Sequence, residues 1–405
     1  MRKMTEARVL IISNGHGEDQ IAAVLGGKLA EVAPEVTIRA LPLVGAGRAY
    51  AQYGIPVIMQ AEELPSGGFA RNSLRNLWMD VKGGLLGQIA SQIQLLRKIR
   101  PEVDLAVCVG DVYLIMLAGM FLKKPVYFLP TAKSDYIRPH WRIEVSLMRR
   151  FCQRIFPRDA RTALSLARQG LPAEFAGNLM MDCLSFRDPD YFRLEKDWVI
   201  TLLPGSRREA YENMVDLTAA LTALEELLAE QQGIAGTRRY LLALAGGLEV
   251  AVMAERLAPM DWRLVEPLPE EAAQGICGHL QGPREGLSIM VVKGRFADLL
   301  AASDLVLGLA GTGNEQAAGL GKPVVAFPGR GPQFSEKFAQ MQKRLLGEAV
   351  SLVAREPRVV AQEILNILTN ADRREQMGKV GRERMGEPGG AKAIALQIKE
   401  YFRQR

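Results

Sequence analysis

The chain is 405 residues long and 48% hydrophobic, enough apolar material for two cores of ordinary domain size and too much for a disordered chain. Its 51 Lys and Arg against 45 Asp and Glu leave a net charge of +6, a mild bias toward anionic partners. The basic residues are spread along the chain without aromatic interleaving, so no nucleic acid is expected, and no apolar run reaches the ~18 to 20 residues of a membrane-spanning helix.

From the N-terminus, Arg2 and Lys3 precede an apolar stretch that stops at Ile12 with no small-residue cleavage site, which reads as a first strand rather than a signal peptide. Short Val-, Ile- and Leu-rich runs then alternate with helical-period stretches, the pattern of parallel strands covered by helices on both faces. Strands are expected at 9–13, 36–42, 105–109, 125–129 and 155–157, with helices such as 21–33 and 85–99 between them. A polar, turn-rich segment follows, and after it the pattern restarts with strands at 198–203, 239–245, 288–292, 305–309, 323–327 and 349–353. Residues 266–286, with three Pro and four Gly, read as a long loop, and the break at 386–390 precedes a terminal helix. The expected organisation is an α/β protein of two Rossmann-like doubly wound domains. The first covers 1–182, a linker covers 183–197, the second covers 198–386, and a helix in 387–405 returns to the first domain. Cys108, Cys152, Cys183 and Cys277 form no C-x-x-C pair, which suits reduced thiols in a cytoplasmic protein and leaves no structural zinc site.

In doubly wound sheets, ligands bind beyond the carboxyl ends of the strands, where helix N-termini offer free N–H groups. Three strand-turn-helix junctions carry suitable residues. In the first, Asn14-Gly15-His16-Gly17-Glu18-Asp19, one of only three histidines stands between glycines. It either fills a tight turn or takes a proton from an acceptor hydroxyl, and its place after strand one favours the second role. The second is Pro204-Gly205-Ser206-Arg207-Arg208-Glu209. Ser206 and Glu209 have capping-box spacing, and two arginines at a helix start oppose the dipole unless an anion is bound, which favours a phosphate site. The third is Ala310-Gly311-Thr312-Gly313-Asn314-Glu315-Gln316, where Thr312 and Glu315 again have capping-box spacing, so that Glu315 either serves the helix or serves a ligand. Gly321-Lys322 is followed by Pro323, which rules out a P-loop.

The run 202–207, together with Ala310 to Glu315, resembles the two donor-side motifs of lipid-A-disaccharide synthase. The first strand and its loop, and the stretch 101–130 containing Gly110-Asp111, are similar to that family in order and spacing, so the resemblance spans nearly the whole chain. It implies a GT-B fold, two domains facing across a cleft, and inverting transfer of a hexosyl group, of N-acetylglucosamine type, from a UDP-sugar. It further implies a lipid or lipid-linked acceptor, no metal, and no cofactor beyond the sugar nucleotide itself, a place in lipid A biosynthesis. Carried over by position, Glu315 would bind the ribose hydroxyls, with Gln316 beside it. Gly205, Ser206 and Arg207, with the turn of Thr312, Gly313 and Asn314, would bind the diphosphate. Phe296 would lie near the base, and Asp111 would face the acceptor.

The first loop departs from that pattern. The family's reading is Gly-Glu-x-Ser-Gly-Asp, whereas here Asn14, Gly15, His16, Gly17 and Glu18 form a loop similar to the Gly-Gly-His loops of the peptidoglycan lipid-intermediate glycosyltransferase and of galactolipid synthases. His16 and Asp111 are therefore both candidates for the base. Leu77, Trp78, Met79, Leu85 and Leu86, lying among Arg71, Arg75 and Lys82, are either a helix core or a surface for peripheral contact with the inner face of the cytoplasmic membrane. Two other functions share these features, a UDP-sugar 2-epimerase and a non-catalytic nucleotide-sugar sensor. His140 and His279, the remaining histidines, lack the context that epimerase chemistry asks for.

Overall fold

The computed structural model describes residues 7–59, 85–193, 198–230 and 237–405. By contact the chain divides into two units, Met1–Cys183 with Gly386–Arg405, and Leu184–Met385.

Among its described residues the first unit has five parallel strands: β1 (Ala7–Ser13), β2 (Val36–Pro42), β3 (Leu105–Gly110), β4 (Val126–Pro130) and β5 (Cys152–Ile155), in the order β2-β1-β3-β4-β5. Residues of β1 and β3 are almost wholly buried because helices cover both faces, which is why these strands read as unbroken apolar runs. β5 is the exception. It is an edge strand with exposed Gln153 and Arg154, and it starts three residues earlier than the apolar run suggests.

The helix Gly390–Arg403 packs on the helix His16–Val32, burying Ala391, Ile394, Ala395 and Ile398 in the same core as Ile21 and Leu25. Its start is fixed by Asp182, whose carboxylate accepts from the N–H groups of Gly389 (2.5 Å) and Ala391 (2.7 Å). The end of the chain thus joins the first sheet's core.

Among the described residues the second unit holds eight strands: β6 (Trp198–Leu203), β7 (Arg238–Leu244), β8 (Arg263–Val265), β9 (Ile276–Gln281), β10 (Ser288–Lys293), β11 (Leu305–Gly308), β12 (Val324–Ala326) and β13 (Val350–Leu352). Their order is β13-β12-β11-β6-β7-β10-β9-β8, parallel from β13 to β10, with β9 and β8 added antiparallel at one edge.

Two expectations change here. The stretch read as a long loop, 266–286, contains a short helix, Pro269–Ala273, and the whole of β9. Its Gly and Pro content masks a period of two in which Ile276, Gly278 and Leu280 point inward, and Gly278, at φ 144, sits beside a shift of register against β10. The described part of the expected linker is not free chain either. Phe192 is fully buried in the second unit's core, and the Asp298 carboxylate accepts from the N–H groups of Arg187 (2.8 Å) and Asp188 (3.2 Å).

Of the segment expected to meet a membrane, Leu77, Trp78 and Met79 lie outside the described residues. Leu85 and Leu86 open the helix Leu85–Ile99, and no described helix is long and apolar enough to cross a membrane.

Candidate functional site

On the first unit, the carboxyl ends of β1, β3 and β4 carry the candidate acceptor-side residues. β1 ends at Ser13, Asn14 follows, and Gly15 is the N-cap of the helix that His16 opens. The histidine is therefore the first helical residue, not the centre of a turn, and it is exposed. Its ring packs on Gly45, where a Cβ would stand 2.9 Å from Cε1.

Asp111 follows β3 and caps the helix Val112–Leu117, one oxygen accepting from the Tyr113 N–H at 2.8 Å and the other from Asn14 Nδ2 at 2.6 Å. The structure thus brings the first junction and the Gly110-Asp111 stretch together through Asn14. Glu18 accepts from the Thr131 hydroxyl at 3.2 Å, which adds the end of β4, while Gly17 is exposed on the helix's first turn.

Beneath this edge Asp19 is 2% exposed and accepts from Ser13 Oγ at 2.6 Å, with the Tyr50 hydroxyl 2.6 Å from the same Oγ. Burial pushes the Asp19 carboxyl up to about 6, against the opposing pull of the Ser13 hydrogen bond and of His16. Burial also holds the Tyr50 hydroxyl far above its ordinary range. Ser13, Tyr50, Gly45 and Thr131 were not singled out from the sequence. Tyr50 and Thr131 lie in the loops after β2 and β4, too far along the chain for spacing to connect them to His16.

On the second unit, β6 and β11 are parallel neighbours, with Gly308 opposite Leu203, so the two candidate donor-side motifs leave the sheet side by side. The Leu309 N–H continues the ladder to the Leu203 carbonyl at 2.8 Å. Gly205 then turns the chain at φ 112, a backbone conformation that favours glycine, and a Cβ there would stand 3.6 Å from the Leu309 carbonyl. Ser206, Arg207 and Arg208 are exposed beyond it.

The helix after this loop begins at Glu209, so Ser206 is not its cap, and the acidic residues of its first turn are Glu209 and Glu212. Neither is Thr312 a cap. Gly311 holds that position with no side-chain bond, and exposed Thr312 is the first residue of the helix Thr312–Gly319. Both capping boxes read from spacing are thus displaced, the first because its turn runs further before the helix starts, the second because its helix starts one residue earlier. Phe296 is brought to this turn, its ring 3.6 Å from where a Cβ on Gly313 would stand.

The Asn314 side chain faces inward. It is fully buried, donating to the Gly308 carbonyl (3.0 Å) and to Gln342 (2.8 Å), while Gln342 donates in turn to the carbonyls of Ala310 (3.2 Å) and Gly311 (2.9 Å). Asn314 thereby shapes the turn from within. Glu315, 9% exposed, and Gln316, 7% exposed, follow it on the helix.

Three further residues brace these loops. Asn213 donates to the Pro204 carbonyl (2.8 Å) and accepts from the Arg330 N–H (2.7 Å). Gln333, with its amide oxygen facing Arg207, accepts from Nη1 at 2.9 Å and donates to Glu209 at 3.3 Å. Gln342 is the third. The available signal was a buried polar residue on the apolar face of a helix, visible for Asn213 and Gln342 only once the helices are placed. Among the described residues, no group of three or more His, Cys, Asp or Glu is placed to hold a metal ion.

No family model matches the sequence, and no curated protein is significantly similar to it. Solved structures are similar in fold. UDP-GlcNAc 2-epimerase from Neisseria meningitidis, bound to UDP-GlcNAc, is 17% identical with a TM-score of 0.56, covering 98% of this chain and 100% of that one. MurG from Acinetobacter baumannii is 15% identical with a TM-score of 0.58, covering 97% and 99%. The calicheamicin glycosyltransferase CalG4 is 16% identical with a TM-score of 0.59, covering 100% and 99%. These likenesses, with the two sheets and their helices, define the fold as GT-B.

Proposed function

We propose that this chain is a metal-independent, inverting glycosyltransferase. It moves a hexosyl group, of N-acetylglucosamine type, from a UDP-sugar to a lipid or lipid-linked acceptor at the cytoplasmic membrane face, as in lipid-A-disaccharide synthase. The observation that carries this reading is the pairing of the loops 204–208 and 310–314 on adjacent parallel strands, with Phe296 against Gly313. Such a pairing supplies main-chain N–H groups, the positive end of the helix Thr312–Gly319 and the arginines Arg207 and Arg208 to one diphosphate, and an aromatic ring beside it for the base. Charge developing on the departing UDP is met by these groups, so no metal or cofactor is required. On the first unit, exposed His16 takes the acceptor's proton, and Asp111, held by Asn14, orients the acceptor or shares that role.

One observation favours a second reading, a UDP-sugar 2-epimerase. Enzymes of that name share the fold, and Glu18 and Asp19 place further carboxylates near His16. Incubation with UDP-GlcNAc separates the two. A transferase releases UDP and glycosylates an added membrane lipid extract, with chelator present, and leaves the sugar's second carbon unchanged in the extract's absence. Formation of the 2-epimer from UDP-GlcNAc alone would replace the transferase reading.

Arg207→Ala gives a narrower expectation for the donor side. UDP affinity is expected to fall by about tenfold or more while uridine affinity holds, because a charge-assisted hydrogen bond to phosphate is worth about 1.5 to 3 kcal/mol. Titration of both ligands decides this, and equal losses would remove Arg207 from the phosphate site.

A further inference from the structure

The helix Glu336–Leu346, which follows β12, lays two side chains against the turn 310–311, Phe338 and Gln342. Four residues apart, they share one face of that helix. Phe338 makes the apolar contact, since a Cβ on Gly311 would stand 3.4 Å from its ring. Gln342, 3% exposed, lies on the buried side of its helix with Ala339, Leu345 and Leu346. An apolar side chain of the same size would pack there without the cost of burying an amide, so packing alone does not account for it.

Both ends of that amide are used. Nε2 donates to the carbonyls of Ala310 (3.2 Å) and Gly311 (2.9 Å), and Oε1 accepts from Asn314 Nδ2 (2.8 Å). Carbonyls only accept, so the nitrogen is the end that faces the turn. Asn314 Nδ2 also donates to the Gly308 carbonyl at 3.0 Å, and a Cβ on Gly308 would stand 1.9 Å from Asn314 Oδ1, which is why a glycine ends β11.

Three carbonyls of one turn, at 308, 310 and 311, are thus drawn inward by two buried amides. In a trans peptide the N–H points opposite to the carbonyl of the same unit, and the described peptide bonds are all trans. The inward carbonyls of Ala310 and Gly311 therefore turn the N–H groups of Gly311 and Thr312 outward, and Thr312 is exposed. These groups open the helix Thr312–Gly319, whose first N–H groups have no partner within the helix, and Gly311 as N-cap has no side chain to offer them.

We propose that Gln342 is a positioning residue for the diphosphate. By holding the Ala310 and Gly311 carbonyls inward, it aims the N–H groups of Gly311 and Thr312 at the phosphate oxygens before the ligand arrives. This rests on the reading of the loops 204–208 and 310–314 as the donor site. Gln342 itself touches no ligand; its effect passes through the two peptide groups it fixes.

The test is Gln342→Met, which keeps the length of the side chain and removes the amide. Affinities for UDP, uridine and inorganic pyrophosphate are measured by calorimetry, with chelator present. UDP and pyrophosphate are expected to bind about tenfold more weakly while uridine binding holds, because hydrogen bonds to an anion are the ones misdirected. The melting temperature is expected to fall by a few degrees through the carbonyls left unpaired, a loss that any structural role would share. The ratio of UDP to uridine affinity therefore decides. A ratio equal to that of the native protein would overturn the proposal. Hydrogen exchange of the native protein tests the same point without a variant. The Gly311 and Thr312 amides are expected to slow by about tenfold or more under saturating UDP and not under uridine. Exchange at both amides that UDP leaves unchanged would also overturn the proposal. Failure of the native protein to bind UDP at all would remove the donor site itself, and this role with it.

Discussion

His16→Ala and Asp111→Asn are each expected to lower turnover by about two orders of magnitude or more while leaving UDP affinity unchanged. The acceptor hydroxyl must lose its proton as the new bond forms, and a group titrating near neutrality serves this best. His16 is exposed at the start of its helix and free to meet an acceptor, and its removal leaves no buried void. Asp111 is different, because it also caps the helix Val112–Leu117. Asparagine is as good an N-cap as aspartate, so Asp111→Asn keeps that bond and removes only the negative charge and one acceptor of the Asn14 amide. A large kinetic loss without a fall in melting temperature therefore reports chemistry. If His16→Ala alone is inactive, the carboxylate is a cap and the histidine is the base. If Asp111→Asn alone is inactive, the histidine only opens a helix. Two active variants would mean that the acceptor side has been placed wrongly.

Much of this arrangement was legible in the sequence, and the losses have identifiable causes. Buried parallel strands such as β1, β3, β6 and β11 declare themselves as apolar runs because both faces are covered. β9 did not, since Gly275, Gly278 and Gly282 carry the composition of a loop while its ladder to β10 depends on a partner strand further along the chain. The motif residues were found where glycines and charges cluster. Residues that brace them, among them Ser13, Tyr50, Asn213 and Gln342, were missed because their roles arise from pairs separated by up to 117 residues along the chain. Capping spacing misled at both Ser206 and Thr312. A spacing of three recurs wherever a turn contains a hydroxyl and an acid, and only the backbone shows which residue begins the helix.

The proposed function depends above all on a nucleotide seat in the second unit, and Glu315 is its most exacting member. The carboxylate lies in the first turn of the helix Thr312–Gly319, 9% exposed, where the dipole favours an anion and where two ribose hydroxyls can both donate to it. Replacing it by glutamine preserves shape, forfeits about 0.3 to 1 kcal/mol of dipole interaction, and substitutes an amide nitrogen for one of the two acceptors. Calorimetric titration of UDP into the native protein and into Glu315→Gln, with chelator present and with melting temperatures recorded, measures this directly. The expected result is saturable UDP binding by the native protein and affinity weaker by about tenfold to a hundredfold in the variant, with the melting temperature nearly unchanged. Undiminished UDP affinity in Glu315→Gln, accompanied by a lower melting temperature, would show that the glutamate serves its helix alone and would contradict the donor site.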